Sequence, residues 1–264
     1  KKYSKEYICF NALHGTFGED GEIQKILKKG NYKYTHSNKK SSFNCFNKIL
    51  SKKIVNKHKI STPLYQVVSC KKINQNYLYE IKKKFQKFVI KPVCSGSSHG
   101  LKIIKFQKDL DNLCDNLEEY KKKFKSSEKF IIEKFISGKE LTVSVIDKDS
   151  IPQPLEVTEI ISFNEIYDYQ AKYIKGFSKH YIPARITNIN YNKCLILALK
   201  IHKIFQCKTL SRIDFIYNNK ENKIYFLEIN SQPGMTKLSL LPEQAKYQNI
   251  SFKSIILTLI NNAS

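Results

Sequence analysis

The sequence predicts a mixed α/β (α+β) protein, on three observations. The chain opens with a short apolar run that passes through a glycine-rich turn into a helical pattern. Its middle and its end carry runs of β-branched and aromatic residues separated by short polar turns, the signature of antiparallel hairpins. Residues 189–206 place Leu195, Leu199, His202 and Phe205 near one face of an amphipathic helix. At 264 residues the chain has room for two compact domains, or for one large domain with an appended lobe.

The elements follow in order. Glu6 to Leu13 reads as a strand ending at His14-Gly15. Gly18-Glu-Asp-Gly-Glu-Ile-Gln then turns into a helix, with Asp20 as its cap and Glu22 in its first turn. Such a strand–turn–helix corner binds anions, although an ordinary βα turn looks the same in sequence. A helix spans Ser42 to His58 and ends before Thr62-Pro63. Strands Phe88–Pro92 and Leu101–Ile104 flank Cys94-Ser-Gly-Ser-Ser-His-Gly100. Those small residues suit either a flap whose backbone amides cover phosphates or a plain hairpin tip, and the P-loop pattern is absent.

Charged Asp109–Lys125 is helical in pattern, and strands Lys129–Ile136 and Glu140–Ile146 surround Ser137-Gly138. Glu133 and Glu140 bracket that turn, where carboxylates suit the amine and hydroxyls of a nucleotide or serve as simple edge charges. Residues 167–176 are polar, aromatic and poorly periodic, as in a loop that closes over a site or a surface loop with no such role. His202 is expected to pack or face solvent, because no metal-spaced partner accompanies it. A last helix covers Ile250–Asn261.

The strongest signal is residues 211–236, SRIDFIYNNKENKIYFLEINSQPGMT. Alternation puts Arg212 and Asp214 on one face of a first strand, and Glu228 and Asn230 on one face of a second. A turn centred near residue 220 sets Arg212 opposite Glu228, with Asp214 diagonal to it. Ile213, Phe215, Tyr225, Leu227 and Ile229 are then expected on the other face. Two carboxylates and an amide oxygen form a hard-oxygen set suited to magnesium shared with nucleotide phosphate. A solvated hairpin face is the alternative for this segment taken alone.

The net charge of +23 resembles that of a nucleic-acid binder, yet only Arg185 and Arg212 among 46 basic residues are arginine. Scattered lysines amid abundant Asn, Ile, Tyr and Phe reflect A+T-rich coding, so no nucleic-acid partner is expected, although the field attracts anionic ligands. No apolar run has membrane-spanning length and no signal-peptide core opens the chain, which predicts a cytoplasmic protein without a membrane partner. Seven cysteines without a Cys-x-x-Cys spacing are expected to be reduced thiols, and Cys94 an inert one.

Six motifs in order resemble the D-alanine–D-alanine ligase family of ATP-grasp enzymes. They are His14-Gly-x-x-Gly-Glu-Asp-Gly-x-x-Gln24, Lys91-Pro with Gly96-Ser-Ser-x-Gly100, Ile132-Glu-Lys-Phe135, Tyr167-Asp-Tyr-x-Ala-Lys-Tyr173, Arg212-Ile-Asp214, and Glu228-x-Asn-x-x-Pro-Gly-Met-Thr236. The resemblance implies an ATP-grasp fold with a truncated N-terminal α/β lobe (residues 1–46), a central lobe (47–140) and a C-terminal catalytic lobe (141–264). It implies ATP-dependent ligation of two D-alanines through an acyl phosphate, for peptidoglycan precursor and hence cell shape, by a homodimer. By position, Lys48 and Lys91 would contact ATP phosphates, with Ser97 and Ser98 in the flap above. Glu133, Lys134, Phe135 and Ile136 would receive adenine, Glu140 the ribose, and Lys172 the γ-phosphate. Asp214, Glu228 and Asn230 match ligands of two magnesium ions, or manganese in their place. Arg212 and the Gly234 N–H resemble oxyanion donors. His14, Ser239 and Leu240 match substrate positions, and Tyr173 a loop tyrosine of enzymes whose second substrate is D-alanine.

The pattern departs at the front. Thirteen residues precede His14, and the family's Gly-Gly-x-Ser-x-Glu-Arg, whose glutamate binds an ammonium, does not occur in this sequence. The expectation is a fragment, a mis-started product or a diverged member, with apolar surface exposed in the first lobe. Cys94-Ser95 replaces the usual Arg-Glu, and Gln170 a loop glutamate. A nucleotide-binding remnant without ligase activity, and an ATP-grasp ligase for other amino acids, are the alternatives.

Overall fold

The computed structural model describes residues 4, 6–96, 99–124, 128–162 and 178–264. A parallel pair, β1 (Ile8–Cys9) and β2 (Lys33–Tyr34), brackets α1 (Glu22–Lys29), so the expected first strand is only two residues long. The residue preceding α1 is Gly21 rather than Asp20, at φ 93°. A Cβ there would come within 2.6 Å of the Lys39 carbonyl oxygen, which reserves the position for glycine. Asp20 ties the turn instead: its Oδ1 accepts the Glu22 N–H at 3.0 Å and its Oδ2 the Phe17 N–H at 2.7 Å. Tyr7, Phe10, Leu13 and Phe17 in this region are exposed.

The helix expected over 42–58 is two helices, α2 (Lys39–Phe46) and α3 (Lys48–Lys57). Asn47 between them has extended backbone, and its Oδ1 caps α3 by accepting the Ile49 and Leu50 N–H groups, each at 3.1 Å. Lys48 therefore starts a new helix, with its backbone N–H on the Val93 carbonyl.

Strands β3 (Tyr65–Ser69), β4 (Phe88–Pro92), β5 (Lys102–Ile104) and β6 (Lys129–Lys134) form an antiparallel sheet in the order β3-β6-β4-β5. Helices α4 (Gln75–Phe85), α5 (Gln107–Asp115) and α6 (Leu117–Lys123) pack Leu78, Ile81, Leu110 and Tyr120 onto Phe88, Ile90, Phe130 and Ile132. One long charged helix was the expectation for the last two; it breaks at Asn116.

The second sheet comprises β7 (Lys139–Lys148), β8 (Ile151–Ser162), β9 (Ser178–Tyr181), β10 (Leu210–Asn218) and β11 (Lys223–Asn230). It is antiparallel, in the order β11-β10-β7-β8-β9. Helix α7 (Asn188–Ile204) sets Cys194, Ala198 and Ile201 against Val143, Val157, Ile213 and Phe215. Helices α8 (Leu240–Tyr247) and α9 (Phe252–Asn261) cover Ile146, Leu155 and Leu210. At a bulge in β7, buried Gln244 of α8 accepts the Ser144 N–H at 2.8 Å and donates to the Thr158 hydroxyl at 2.9 Å. That pairing satisfies polar groups which would otherwise be stranded inside the sheet.

Candidate active site

The hairpin of β10 and β11 carries the acidic cluster, in a register two residues away from the expected one. Arg212 pairs with Asn230, and Asp214 pairs with Glu228. Two causes add up: the turn is centred between residues 220 and 221, since Asn218 pairs with Lys223, and a bulge adds one more, since Phe215 pairs with Phe226 but Asp214 with Glu228, which leaves Leu227 as the extra residue. The bulge also corrects the faces. The core face is Ile213, Phe215 and Tyr217 with Ile224, Phe226 and Ile229, whereas Leu227, expected there, lines the cleft with Ile216, and Tyr225 alternates to that same side.

Arg212 grips Asp214 through both carboxylate oxygens, from Nε at 2.9 Å and from its terminal nitrogen at 2.7 Å. The Thr142 hydroxyl adds a 2.6 Å bond to Asp214 Oδ1, which orients the carboxylate from the neighbouring strand β7. Asn230 Oδ1 accepts the Gln232 N–H at 2.7 Å and so shapes the turn that leads to Pro233-Gly234.

Lysines supply the opposing charge. Lys48, almost completely buried, donates from Nζ to the Ser95 carbonyl at 2.5 Å. Burial pulls its ammonium below the usual lysine range, and Glu228 partly restores it. Lys91 Nζ lies 3.1 Å from Glu133 Oε1, and Lys52 Nζ lies 3.3 Å from the same oxygen. Burial opposes ionisation of Glu133, yet the two ammoniums outweigh it and hold the carboxyl below its ordinary value.

A polar cavity, open to solvent, is lined by His14, Glu19, Lys48, Gly96, Arg212, Glu228, Asn230 and Gly234. Glu19 accepts the Gly15 N–H at 2.6 Å and sits 3.8 Å from His14 Nδ1, which raises the imidazole pKa. Asn11 stitches this corner to the β11 exit loop by donating to Gln232 Oε1 at 2.7 Å and to the Gly18 carbonyl at 3.0 Å. Gln232 in turn donates to the Leu13 carbonyl.

Next to it runs a larger cleft of about 1370 Å³ between the two sheets. Val89, Ile103, Lys91, Glu133, Lys134, Phe135 and Ile136 line one side, and Glu140, Ile160, Ile216 and Leu227 the other. Glu159 at its edge is held by Arg185 at 2.9 Å and Lys139 at 3.3 Å.

Most expected residues thus converge on two adjoining spaces. Ser239 and Leu240 line neither: the Ser239 hydroxyl bonds Thr236 Oγ1 at 2.9 Å, and Leu240 is buried near Ile160. Ser97, Ser98, Lys172 and Tyr173, with the whole of 167–176, lie outside the described residues. His202 is buried, as packing required, between Ser211 Oγ at 2.7 Å and Asp147 Oδ1 at 3.4 Å. All seven cysteines are free, and burial raises the Cys94 thiol above its usual pKa, in keeping with an inert thiol.

Lys52, Thr62, Glu19 and Gln232 carry geometry that the sequence reading leaves out. Lys52 is one of 46 basic residues and nothing local marks it as buried; its one signal is a helical i,i+4 spacing from Lys48.

Asp214, Glu228 and Asn230 fit a hard divalent cation. Two carboxylates face each other in register and one amide oxygen stands on the same face, leaving places for phosphate oxygens. Among the described residues no group of three or more His, Cys, Asp or Glu forms a metal cluster.

A family description, D-ala D-ala ligase C-terminus, matches residues 54–261. A D-alanine–D-alanine ligase of Pelagibacter ubique is 41% identical over 262 residues, covering 98% of this chain and 82% of that protein. One from Wolbachia sp. subsp. Drosophila simulans is 39% identical over 257 residues, covering 97% and 77%. Among solved structures, the Bacillus anthracis D-alanine–D-alanine ligase complexed with ATP matches at a TM-score of 0.76 and 26% identity, over 97% of this chain and 78% of that one. The VanG D-Ala:D-Ser ligase of Enterococcus faecalis matches at 0.78 and 28%, over 96% and 72%.

Proposed function

The chain belongs to the D-alanine–D-alanine ligase family, and from that premise we propose that it joins two D-alanines at the expense of ATP, for peptidoglycan precursor synthesis. The observation that carries the reading is the register of β10 on β11. It faces Asp214 with Glu228 and Arg212 with Asn230, and Arg212, Glu228 and Asn230 line one cavity with Lys48, beside the inter-sheet cleft.

In this reading the base lies between Val89, Ile103 and Phe135 on one side and Ile160, Ile216 and Leu227 on the other, with Glu140 at the ribose. Lys48 and Lys91 point the phosphates at the polar cavity, which Glu228 lines and where Asp214 pairs with it across the hairpin. Magnesium or manganese at Asp214, Glu228 and Asn230, two ions by the family pattern, would polarise the phosphates when bound. Transfer of the γ-phosphoryl to a D-alanine carboxylate makes an acyl phosphate; the second amine attacks its carbonyl carbon and expels phosphate. Arg212 and the Gly234 N–H stabilise the oxyanion of that step, and the Asn11–Gln232 bond holds the Gly234 loop for it. Lys172, Tyr173, Ser97 and Ser98 complete the proposal as the closing groups.

The reading divides the chain at residues 46 and 140; the change from one sheet to the other falls between Lys134 and Lys139. A homodimer in the cytoplasm is part of the proposal, and no described helix is long and apolar enough to cross a membrane. The remnant and other-substrate alternatives are less favoured, since the relatives at 39–41% identity are D-alanine–D-alanine ligases.

The test is phosphate release from ATP and magnesium with D-alanine, against L-alanine, D-serine and no amino acid, with chromatography of the product. D-alanine-dependent phosphate with matching D-alanyl-D-alanine is expected. ATP binding without any amino-acid-dependent turnover would overturn the ligase reading.

A further inference from the structure

Lys52 is fully buried, an expensive place for an ammonium unless partners hold it. Burial draws its pKa down to about 8 against the pull of Glu133. Its Nζ donates to Thr62 Oγ1 at 2.7 Å, and that hydroxyl donates to the Phe226 carbonyl on β11 at 3.0 Å. Phe226 answers by donating its N–H to the Ser61 carbonyl at 2.8 Å. On its other side Lys52 meets Glu133 of β6, in the first sheet. Lys52 and Thr62 together therefore link a strand of one sheet, β6, to a strand of the other, β11.

Glu133 is the pivot. Its Oε1 is shared by Lys52 and Lys91, so one carboxylate answers two ammoniums and a net positive charge is left facing the cleft. Without Lys52, Lys91 and Glu133 become a neutral pair, and Lys91 is drawn toward the carboxylate rather than toward a phosphate. The backbone that follows Glu133, through Ile136, lines the same cleft.

We propose that Lys52 is a positioning residue for the nucleotide, which acts through Glu133 on Lys91 and locks the two sheets at the spacing the cleft requires. The inference rests on the ATP-dependent ligase reading given above. Lys52 touches neither ATP nor amino acid; its effect belongs to the nucleotide half of the site.

The experiment measures magnesium-dependent binding of a non-hydrolysable ATP analogue by calorimetry, and steady-state kinetics, for the wild type, Lys52→Met, Lys52→Arg, Glu133→Gln and the double variant Lys52→Met/Glu133→Gln. Lys52→Met is expected to weaken analogue binding and raise KM for ATP by at least about tenfold, with KM for D-alanine within about threefold of wild type. Lys52→Arg, which keeps the charge, is expected to recover part of the loss. The double variant is expected to bind little worse than Glu133→Gln alone, because both substitutions remove one pathway. Additive losses, or equal rises in both KM values, would overturn the proposal. If Lys52→Met does not fold, Thr62→Val reads the same link with the charge retained, and unchanged ATP affinity in it would be the refuting result. A wild type that binds no nucleotide would defeat the ligase reading itself, whereas wild-type binding left intact in every variant defeats only the role of Lys52.

Discussion

His36 makes the stability of the N-terminal corner depend on pH in a calculable way. The imidazole is 4% exposed, its Nδ1 lies 2.9 Å from Thr35 Oγ1, and its Nε2 has no hydrogen-bond partner among the described residues. A second ring proton would enter that pocket with no acceptor. Burial, reinforced by nearby His14, accordingly lowers the pKa from 6.5 to about 4. The folded value lies below the unfolded one, so the unfolded chain takes up the proton first as pH falls. Stability is unaffected by this group above pH 6.5, declines below it, and stops declining below about pH 4. The full loss is about 3 kcal/mol, of which about 2 kcal/mol is reached at pH 5. Urea unfolding of the wild type and of His36→Asn at pH 7.5 and pH 5 measures it; asparagine tolerates the φ of 70° at this position and carries no charge. The carboxylates held low by their partners, Glu133, Asp147 and Glu159, are common to both proteins and cancel in the comparison. The wild type is expected to lose about 2 kcal/mol more than the variant between the two pH values. Equal losses would refute a buried, neutral His36.

Three further outcomes test the site. Glu228→Gln keeps the shape of the side chain and removes one of two facing carboxylates, so magnesium-dependent turnover is expected to vanish while circular dichroism stays unchanged; near-wild-type activity would sink the metal assignment. Arg212→Lys cannot reproduce the two-point grip on Asp214 and is expected to lower kcat by about 100- to 1,000-fold, read by phosphate release. Gly138→Ala would set a Cβ 2.2 Å from the Tyr217 carbonyl oxygen, backbone that cannot swing away. A loss of about 2–3 kcal/mol by thermal or urea unfolding is expected, with weakened ATP binding, since Gly138 also lines the cleft.

The acidic hairpin was legible because its chemistry is local. Arg212 is one of two arginines, and the alternation of Arg212, Asp214, Glu228 and Asn230 is readable without knowing where the chain goes next. Lys52 and Gln244 were not, since burial of a polar side chain depends on partners far away: Glu133 lies 81 residues on, and Ser144 lies 100 residues back. Strand β8 is silent in sequence for another reason. Pro152 and Pro154 open it, and proline argues against a strand. The structure accommodates them because, among the described residues, β8 meets β9 only at Glu159–Ser162, and the prolines stand outside that pairing. Asn47 lies inside what the sequence reads as one helix, and only the packing of Lys48 against Val93 and Ser95 shows why a break is needed there.

The bulge at Leu227 is where fold and chemistry meet. Strict alternation from Ile224 and Phe226, both in the core, would carry Glu228 into the core as well and leave Ile229 facing the cleft. Burying that carboxylate without a partner would cost more than the roughly 1.5–3 kcal/mol that burying the Ile229 side chain supplies. One extra residue resets the phase, so that Ile229 rejoins the core while Glu228 and Asn230 face Asp214 and Arg212. It does more than rescue a register, because the residue gained is itself apolar and stands on the cleft side. Leu227 joins Ile216 in the larger cleft, and Glu228, the next residue, lines the polar cavity. The boundary between an apolar surface suited to a base and an acidic one suited to metal-bound phosphates thus falls between two consecutive residues. A regular strand, whose neighbours face opposite ways, cannot place both on one side.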